Sequence, residues 1–250
     1  MEPHWSCALI PPNSPDPSHA GSGLIWRWGQ ELLEFLPEKA LWRPKGRELL
    51  IADLHLGKAE VFQAHGIPLP SDGDRGTLNP LLDLCSRLRP NRLIILGDLV
   101  HGPLGLTTHL RETLEALPEL TQCSITLVGG NHDRHCRALG LAQDPSFRLG
   151  QLWLSHEPEM SADPASPPEP LLNICGHIHP VASLRSGGDR LRLPCFAYDE
   201  SAPRLLIPAF GELTGGHECG QLYRKWLVAE GTIVPWQNPD SRARKKRLVR

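Results

Sequence analysis

No two of the seven cysteines in this 250-residue chain are spaced as CxxC, and they lie scattered from Cys7 to Cys219. Their number is odd. A zinc ribbon and a disulfide framework are therefore excluded, and a reducing, cytoplasmic setting is expected. No apolar run approaches the roughly 20 residues that span a bilayer, so no membrane partner is expected. The opening residues carry no basic stretch ahead of an apolar core, so no secretory signal is expected either. Internal repeats are lacking. The 23 glycines and 25 prolines make up nearly a fifth of the chain, which excludes a long helical bundle or coiled coil.

What is present suits a soluble globular protein, with 40% hydrophobic and 22% charged residues. The length fits one sizeable domain. The net charge of −2 is unevenly placed. The last eleven residues carry Arg242, Arg244, Lys245, Lys246, Arg247 and Arg250 against one acid, which leaves a body near −7. Residues 1–23 read as a flexible lead-in rich in Pro, Ser and His, 24–238 as the folded domain, and 239–250 as a basic tail. The tail is either a solvated end or an electrostatic tether for nucleic acid.

Hydrophobic periodicity predicts short strands at 24–28, 31–36 and 40–43, then an alternation of strands and helices. Strands are expected at 48–53, 92–98 and 124–130, and helices at about 58–65, 74–88 and 107–117. Pro80 is tolerable only near its helix's start. Later strands are expected at 152–156, 171–175, 190–196 and 204–208, with a hairpin over 226–236 turning at Glu230-Gly231. Residues 157–170 read as a Pro-rich loop. The fold class is a layered α/β domain.

Five of these strands run into metal-capable side chains at their carboxyl ends. They deliver Asp53 and His55, then Asp98, then Asn131-His132-Asp133, then His156, then His177 and His179. That edge of an open α/β sheet is where loops converge on sites. Carboxylate, amide and imidazole donors without thiolate suit Mn²⁺, Fe or Zn²⁺. The four His argue against an all-oxygen cage for Mg²⁺ or Ca²⁺. Seven ligands are too many for one ion and fit two ions sharing a carboxylate, an arrangement that clamps a phosphoryl group and acidifies a water.

The run DLH (Asp53 to His55), GD (Gly97-Asp98), GNHD (Gly130 to Asp133), His156 and GHIH (Gly176 to His179) resembles the calcineurin-like metallophosphoesterase signature. The resemblance implies a four-layer α/β/β/α sandwich with two central mixed sheets. It implies one metal held by Asp53, His55, Asp98 and His179, and a second held by Asp98, Asn131, His156 and His177, with manganese the first choice. His132 would face the leaving oxygen and Asp133 would orient it. ADLHLGKAEVFQAHGIPLP (Ala52 to Pro70) and IPAFGELTGG (Ile207 to Gly216) are similar to the bacterial PdeM group. That group comprises ligase-associated DNA damage response endonucleases or phosphodiesterases. DNA as substrate, a role in DNA repair and ligase-associated repair proteins as partners are what this implies.

Further candidates lie around the motifs. Lys58, at a helix start, is either a phosphate contact or an exposed helix lysine. His101 either lines the pocket or caps the Asp98 loop. Gly211, Gly215 and Gly216 are expected in a tight turn that approaches the site. Trp26, Trp28 and Trp42 read as sheet packing, with base stacking the alternative. The rival activities are a small-molecule phosphomonoesterase or nucleotide pyrophosphatase, which would use the same centre. A non-catalytic scaffold of this fold is a third reading, and the complete ligand set argues against it.

Overall fold

The structure, a computed structural model, describes residues 23–70, 73–134, 143–159, 171–186 and 189–236. The lead-in up to residue 22, the basic tail and most of the Pro-rich loop (160–170) lie outside the described residues. In chain order the elements are β1 (Leu24–Trp28), β2 (Glu31–Phe35), β3 (Leu41–Arg43), β4 (Glu48–Ile51), α1 (Lys58–Ala64), α2 (Arg75–Leu88), β5 (Arg92–Leu96), α3 (Thr108–Thr121) and β6 (Ser124–Val128). They continue with β7 (Gln143–Asp144), β8 (Phe147–Leu149), β9 (Leu152–Ser155), β10 (Leu172–Cys175), β11 (Pro180–Ser186), β12 (Asp189–Asp199) and β13 (Arg204–Leu206). The last are β14 (His217–Glu218), β15 (Tyr223–Ala229) and β16 (Thr232–Trp236).

Two mixed sheets form the centre. The first follows chain order from β1 to β7, antiparallel as far as β4 and parallel from β4 to β7. The second runs β14-β11-β12-β13-β10-β9-β8, with β15 and β16 joined through β12. Within it, β9, β10 and β13 are parallel. The β15–β16 turn falls at Glu230-Gly231, both at positive φ, as a tight two-residue hairpin turn requires.

Parallel strands buried on both faces are near-continuous apolar runs, and β4 and β5 are apolar after their first residues, Glu48 and Arg92. Their alternate residues serve different layers. Leu49, Ile51, Leu93 and Ile95 join Leu81, Leu84, Leu88, Leu110, Leu114 and Leu117 from α2 and α3. Leu50, Ile94 and Leu96 face the second sheet, meeting Leu154, Ile174, Phe196 and Leu205. A third cluster (Cys175, Ala182, Cys195, Ala197, Leu206, Cys219, Leu227) lies on the second sheet's other face. Among the described residues, the two longer helices pack on the first sheet only. The Trp26 and Trp42 side chains are buried in these cores, so packing accounts for both.

Aromatic rings fill the middle of the inter-sheet core. Phe35 is fully buried and stacks on Phe196 at 4.5 Å between centroids, with Trp226 at 4.8 Å. Phe35→Ala should therefore cost about 3–5 kcal/mol of stability, read as a lowered midpoint in urea denaturation. A buried ionic link fixes the far end of the same interface. Arg43 donates to Glu31 and Glu48 at 2.8 Å each, and Gln151 N donates to Glu31, tying β3 to the start of β9. Among the described residues, no helix is long and apolar enough to cross a membrane.

Candidate metal centre

The parallel strands of both sheets end at one place. Backbone bonds sew their carboxyl-end loops together: Asp53 N to Gly97 O (3.1 Å), His55 N to Asp98 O (2.9 Å) and Gly176 N to His156 O (3.1 Å). The conformations there are unusual. Asp53, His55, Asp98, His177 and His179 all have positive φ, between 48° and 63°. L-residues rarely take this region, and such strain gathers at functional sites. It turns successive side chains off the strand ends toward a common point.

Glycines make room for these side chains. A Cβ on Gly97 would sit 2.1 Å from His156 Nδ1, one on Gly130 would sit 2.4 Å from Asp98 Oδ1, and one on Gly176 would sit 2.5 Å from Asp53 Oδ2. Gly97 also has φ of +78°. Gly97→Ala should lower stability by about 1–3 kcal/mol and displace His156. A lower thermal midpoint together with reduced bound metal is the expected result, and an unchanged protein would refute the cradle.

The chelating atoms form two groups. Asp53, His55 and His179 offer atoms within 4.8 Å of one another, and so do Asp98, His156 and His177. His179 Nε2 lies 3.4 Å from Asp53 Oδ1 and 3.4 Å from His55 Nε2. His156 Nδ1 is 2.9 Å from the carbonyl of Leu96 and donates to it, which leaves Nε2 with a lone pair. That lone pair faces Asn131 Oδ1 (2.9 Å), His177 Nδ1 (3.1 Å) and Asp98 Oδ1 (3.6 Å). Asp98 spans both groups, since its Oδ2 lies 3.7 Å from His55 Nε2. Nitrogen and oxygen donors gathered so closely are able to share a metal ion at each group. Burial, then the neighbouring His179, His101 and Lys58 charges, push His55 down to about 2, so its ring is neutral and free to ligate.

The remaining candidates surround this centre. His132 N donates to Asp98 Oδ1 (3.0 Å), and its ring Nδ1 is 2.8 Å from the His101 carbonyl. The resemblance gives Asp133 the task of orienting His132. In the structure its buried carboxylate accepts the backbone N–H groups of Gly130, Asp98 and Leu99 at 2.7–2.9 Å. It clamps the Asp98 loop, and the carbonyl of His101 holds the His132 ring. The His101 ring stacks on His132, 5.4 Å between centroids, and on Phe62 at 6.3 Å. Burial lowers the pKa of both His101 and Lys58. Lys58 opens α1 behind Gly57, whose φ is +73° and whose Cβ would meet Gly105 O at 2.3 Å.

The 207–216 segment approaches through its backbone. Phe210 N donates to Ala52 O (2.8 Å) and Gly211 N to Asp53 O (3.2 Å), while a Cβ on Gly211 would strike Leu54 O at 2.3 Å. Lys39 was not a sequence candidate. Its ammonium, in the β2–β3 turn, donates to Phe210 O at 2.7 Å and pins this segment. Nothing local in the sequence marks it, because its partner lies 171 residues away.

The sequence pattern of the calcineurin-like phosphoesterase family matches residues 47–196. The nuclease MPE of Pseudomonas putida is similar in structure, with a TM-score of 0.68, 30% identity, and coverage of 86% of this chain and 100% of that one. Weaker likenesses are the E. coli phosphoesterase Yfce (TM-score 0.38, 17% identity, 75% of this chain and 96% of that one) and a Vps29 double mutant from Entamoeba histolytica (0.30, 16%, 74% and 94%). No curated protein matches the chain. With its family pattern spread over the two groups of chelating residues, the chain belongs to the calcineurin-like phosphoesterases and is a hydrolase of phosphoester bonds.

Proposed function

We propose that the protein is a dinuclear phosphodiesterase that cleaves DNA, and that it works in DNA repair. The observation that carries the dinuclear reading is Asp98, one carboxylate with an oxygen on each chelating group. Asp53, His55, Asp98 and His179 would hold one cation, and Asp98, Asn131, His156 and His177 the other. Manganese is the first choice, with iron or zinc the alternatives. Two such cations supply Lewis acidity toward water and phosphoryl oxygens. The residues do the rest. His132, its Nδ1–H committed to a carbonyl, would act through Nε2, which gives a proton to the leaving oxygen from the doubly protonated ring. Asp133 keeps the Asp98 loop in register. Lys58 would meet a non-bridging oxygen and bias binding toward an anion, and His101, stacked on His132, would line the same pocket.

DNA as the substrate is supported by the kinship with a nuclease over the whole of that protein's length. The PdeM-like segments support it too, since they pack against the metal ligands rather than lying remote from them. Ligase-associated repair proteins are the partners this reading implies. The five free cysteines of the described residues accord with a cytoplasmic setting. The test is the Mn²⁺-loaded protein on bis-p-nitrophenyl phosphate, p-nitrophenyl phosphate and single-stranded DNA. Cleavage of the diester and of DNA is expected. Fast turnover of the monoester with no action on DNA would make it a small-molecule phosphatase.

A further inference from the structure

We infer that the long β11–β12 ribbon is a clamp for the phosphate backbone of the bound strand, a role that rests on the nuclease reading above. The ribbon starts one residue past the chelating His179. Its register pairs Arg185 with Arg190 and Ser183 with Arg192. Directly opposed residues in an antiparallel pair share a face, and so do residues two apart along a strand. Arg185, Arg190 and Arg192 therefore stand in a row on one face, and all three are exposed.

The row has a fixed orientation. The other face of the ribbon, with Ala182, Leu184 and Leu193, packs into the third hydrophobic cluster. Along β12, Arg190 and Arg192 share the period of Phe196, which packs between the sheets, while Leu193 shares that of Cys195 and Ala197. The arginines thus stand on the side of the second sheet that meets the first sheet, whose carboxyl-end loops carry Asp53, His55 and Asp98. Two of them are already braced. Arg190 donates to Ser183 Oγ (3.1 Å) and pairs with Glu218 (3.0 Å), and Arg192 donates to Gly216 O at 2.6 Å. Gly216 adjoins His217, whose N–H bonds the carbonyl of His179 at 2.8 Å.

The distances suit a strand running on from the cut. At about 3.3 Å per residue, Arg192 sits opposite a point about 13 Å along β11 from His179, and Arg185 about 20 Å along it. Three guanidiniums against the one carboxylate of Glu218 make this face cationic on a body whose net charge is negative. Arginine forks suit phosphate oxygens, and a polyanion that reaches the metals must be attracted somewhere near them. The partner is nucleic acid several nucleotides longer than the scissile link. A lone phosphoester is too short to touch the row.

The test compares wild type with the Arg185→Ala/Arg190→Ala/Arg192→Ala triple variant on a long single-stranded oligonucleotide and a dinucleotide, across a salt series. For the long substrate, KM should rise about tenfold or more at low salt, with the loss on KM rather than kcat. The slope of log KM against log salt should fall by about 2, at roughly 0.7 for each of three phosphates. The wild-type preference for long over short substrate should shrink accordingly. Glu218→Gln, which removes the opposing charge, should shift KM the other way and keeps the idea testable should the triple variant fold poorly. If wild type cuts DNA and both variants keep its KM and salt slope, the clamp is overturned while the nuclease reading stands. If wild type cleaves small phosphoesters but never DNA, the nuclease reading fails and the clamp with it.

Discussion

Asp98→Ala should empty both metal sites and abolish turnover. The two oxygens of this carboxylate lie 3.6 Å and 3.7 Å from chelating nitrogens of different groups, His156 Nε2 and His55 Nε2. Without it, each group keeps its imidazoles but loses the shared anion that offsets repulsion between two dications. That repulsion is severe at the 3.5–4 Å spacing roughly typical of such pairs. Asp98 is also buried and accepts His132 N, so the variant frees the His132 backbone as well. Asp98→Asn separates these effects, since it preserves the shape and removes the charge. His55→Ala is the complementary control, because it strips one group and leaves Asp98, Asn131, His156 and His177 intact. Elemental analysis should find less than one metal per chain in both Asp98 variants and about one in His55→Ala. Two full-occupancy metals in Asp98→Ala would end the bridging assignment.

The strand ends were legible because two simple signals coincide there. An apolar run of four or five residues stops, and a polar residue able to bind a cation follows. β4, β5, β6, β9 and β10 all appear within two residues of their expected bounds. The misplaced ends have local causes. The expected strands ending at Asp53, Asp98 and Gly130 run two residues past the observed ones, since the chain leaves the strand before the motif residue, into left-handed backbone at both aspartates. α3 passes Leu117 to reach Thr121 with Pro118 inside it. Pro118 has no N–H to give the carbonyl four residues back, and the last turn is held by Thr121 Oγ1, which donates to Leu117 O at 2.8 Å. β11 had no expectation, because PVASLRS opens on proline and mixes Ser and Arg with few large apolar residues.

What stayed hidden in the site is non-local or belongs to the backbone. Side-chain type marks Asp133 as polar and near the site, but two of its partners are amides of the Asp98 loop some 34 residues away. His101 was a candidate for its ring, whereas its carbonyl is what holds His132. A carbonyl is present at every position and carries no sequence signal. Lys39 reaches its acceptor only because the first sheet brings the β2–β3 turn beside residue 210. The left-handed conformations at the five chelating residues carry only a faint compositional sign: Asp and His enter that region more often than other side chains, but most of them in any chain do not.

His132→Ala should keep both metals and lose roughly 10²–10⁴-fold in turnover, about 3–5 kcal/mol of barrier. The reason is the division of labour around the ring. Its Nδ1 is spent on the His101 carbonyl at 2.8 Å, and the ring belongs to neither chelating group, so removing it takes no chelating atom from either. The residue's own N–H still reaches Asp98 Oδ1 in the alanine variant, which preserves the bridging carboxylate's position. The loss should therefore track the leaving group. A p-nitrophenolate needs little protonation and should feel the substitution least, whereas a deoxyribose oxygen of DNA should feel it most. A variant that releases its metals would place His132 among the ligands. A loss equal for good and poor leaving groups would move its action from the leaving oxygen to the phosphoryl group.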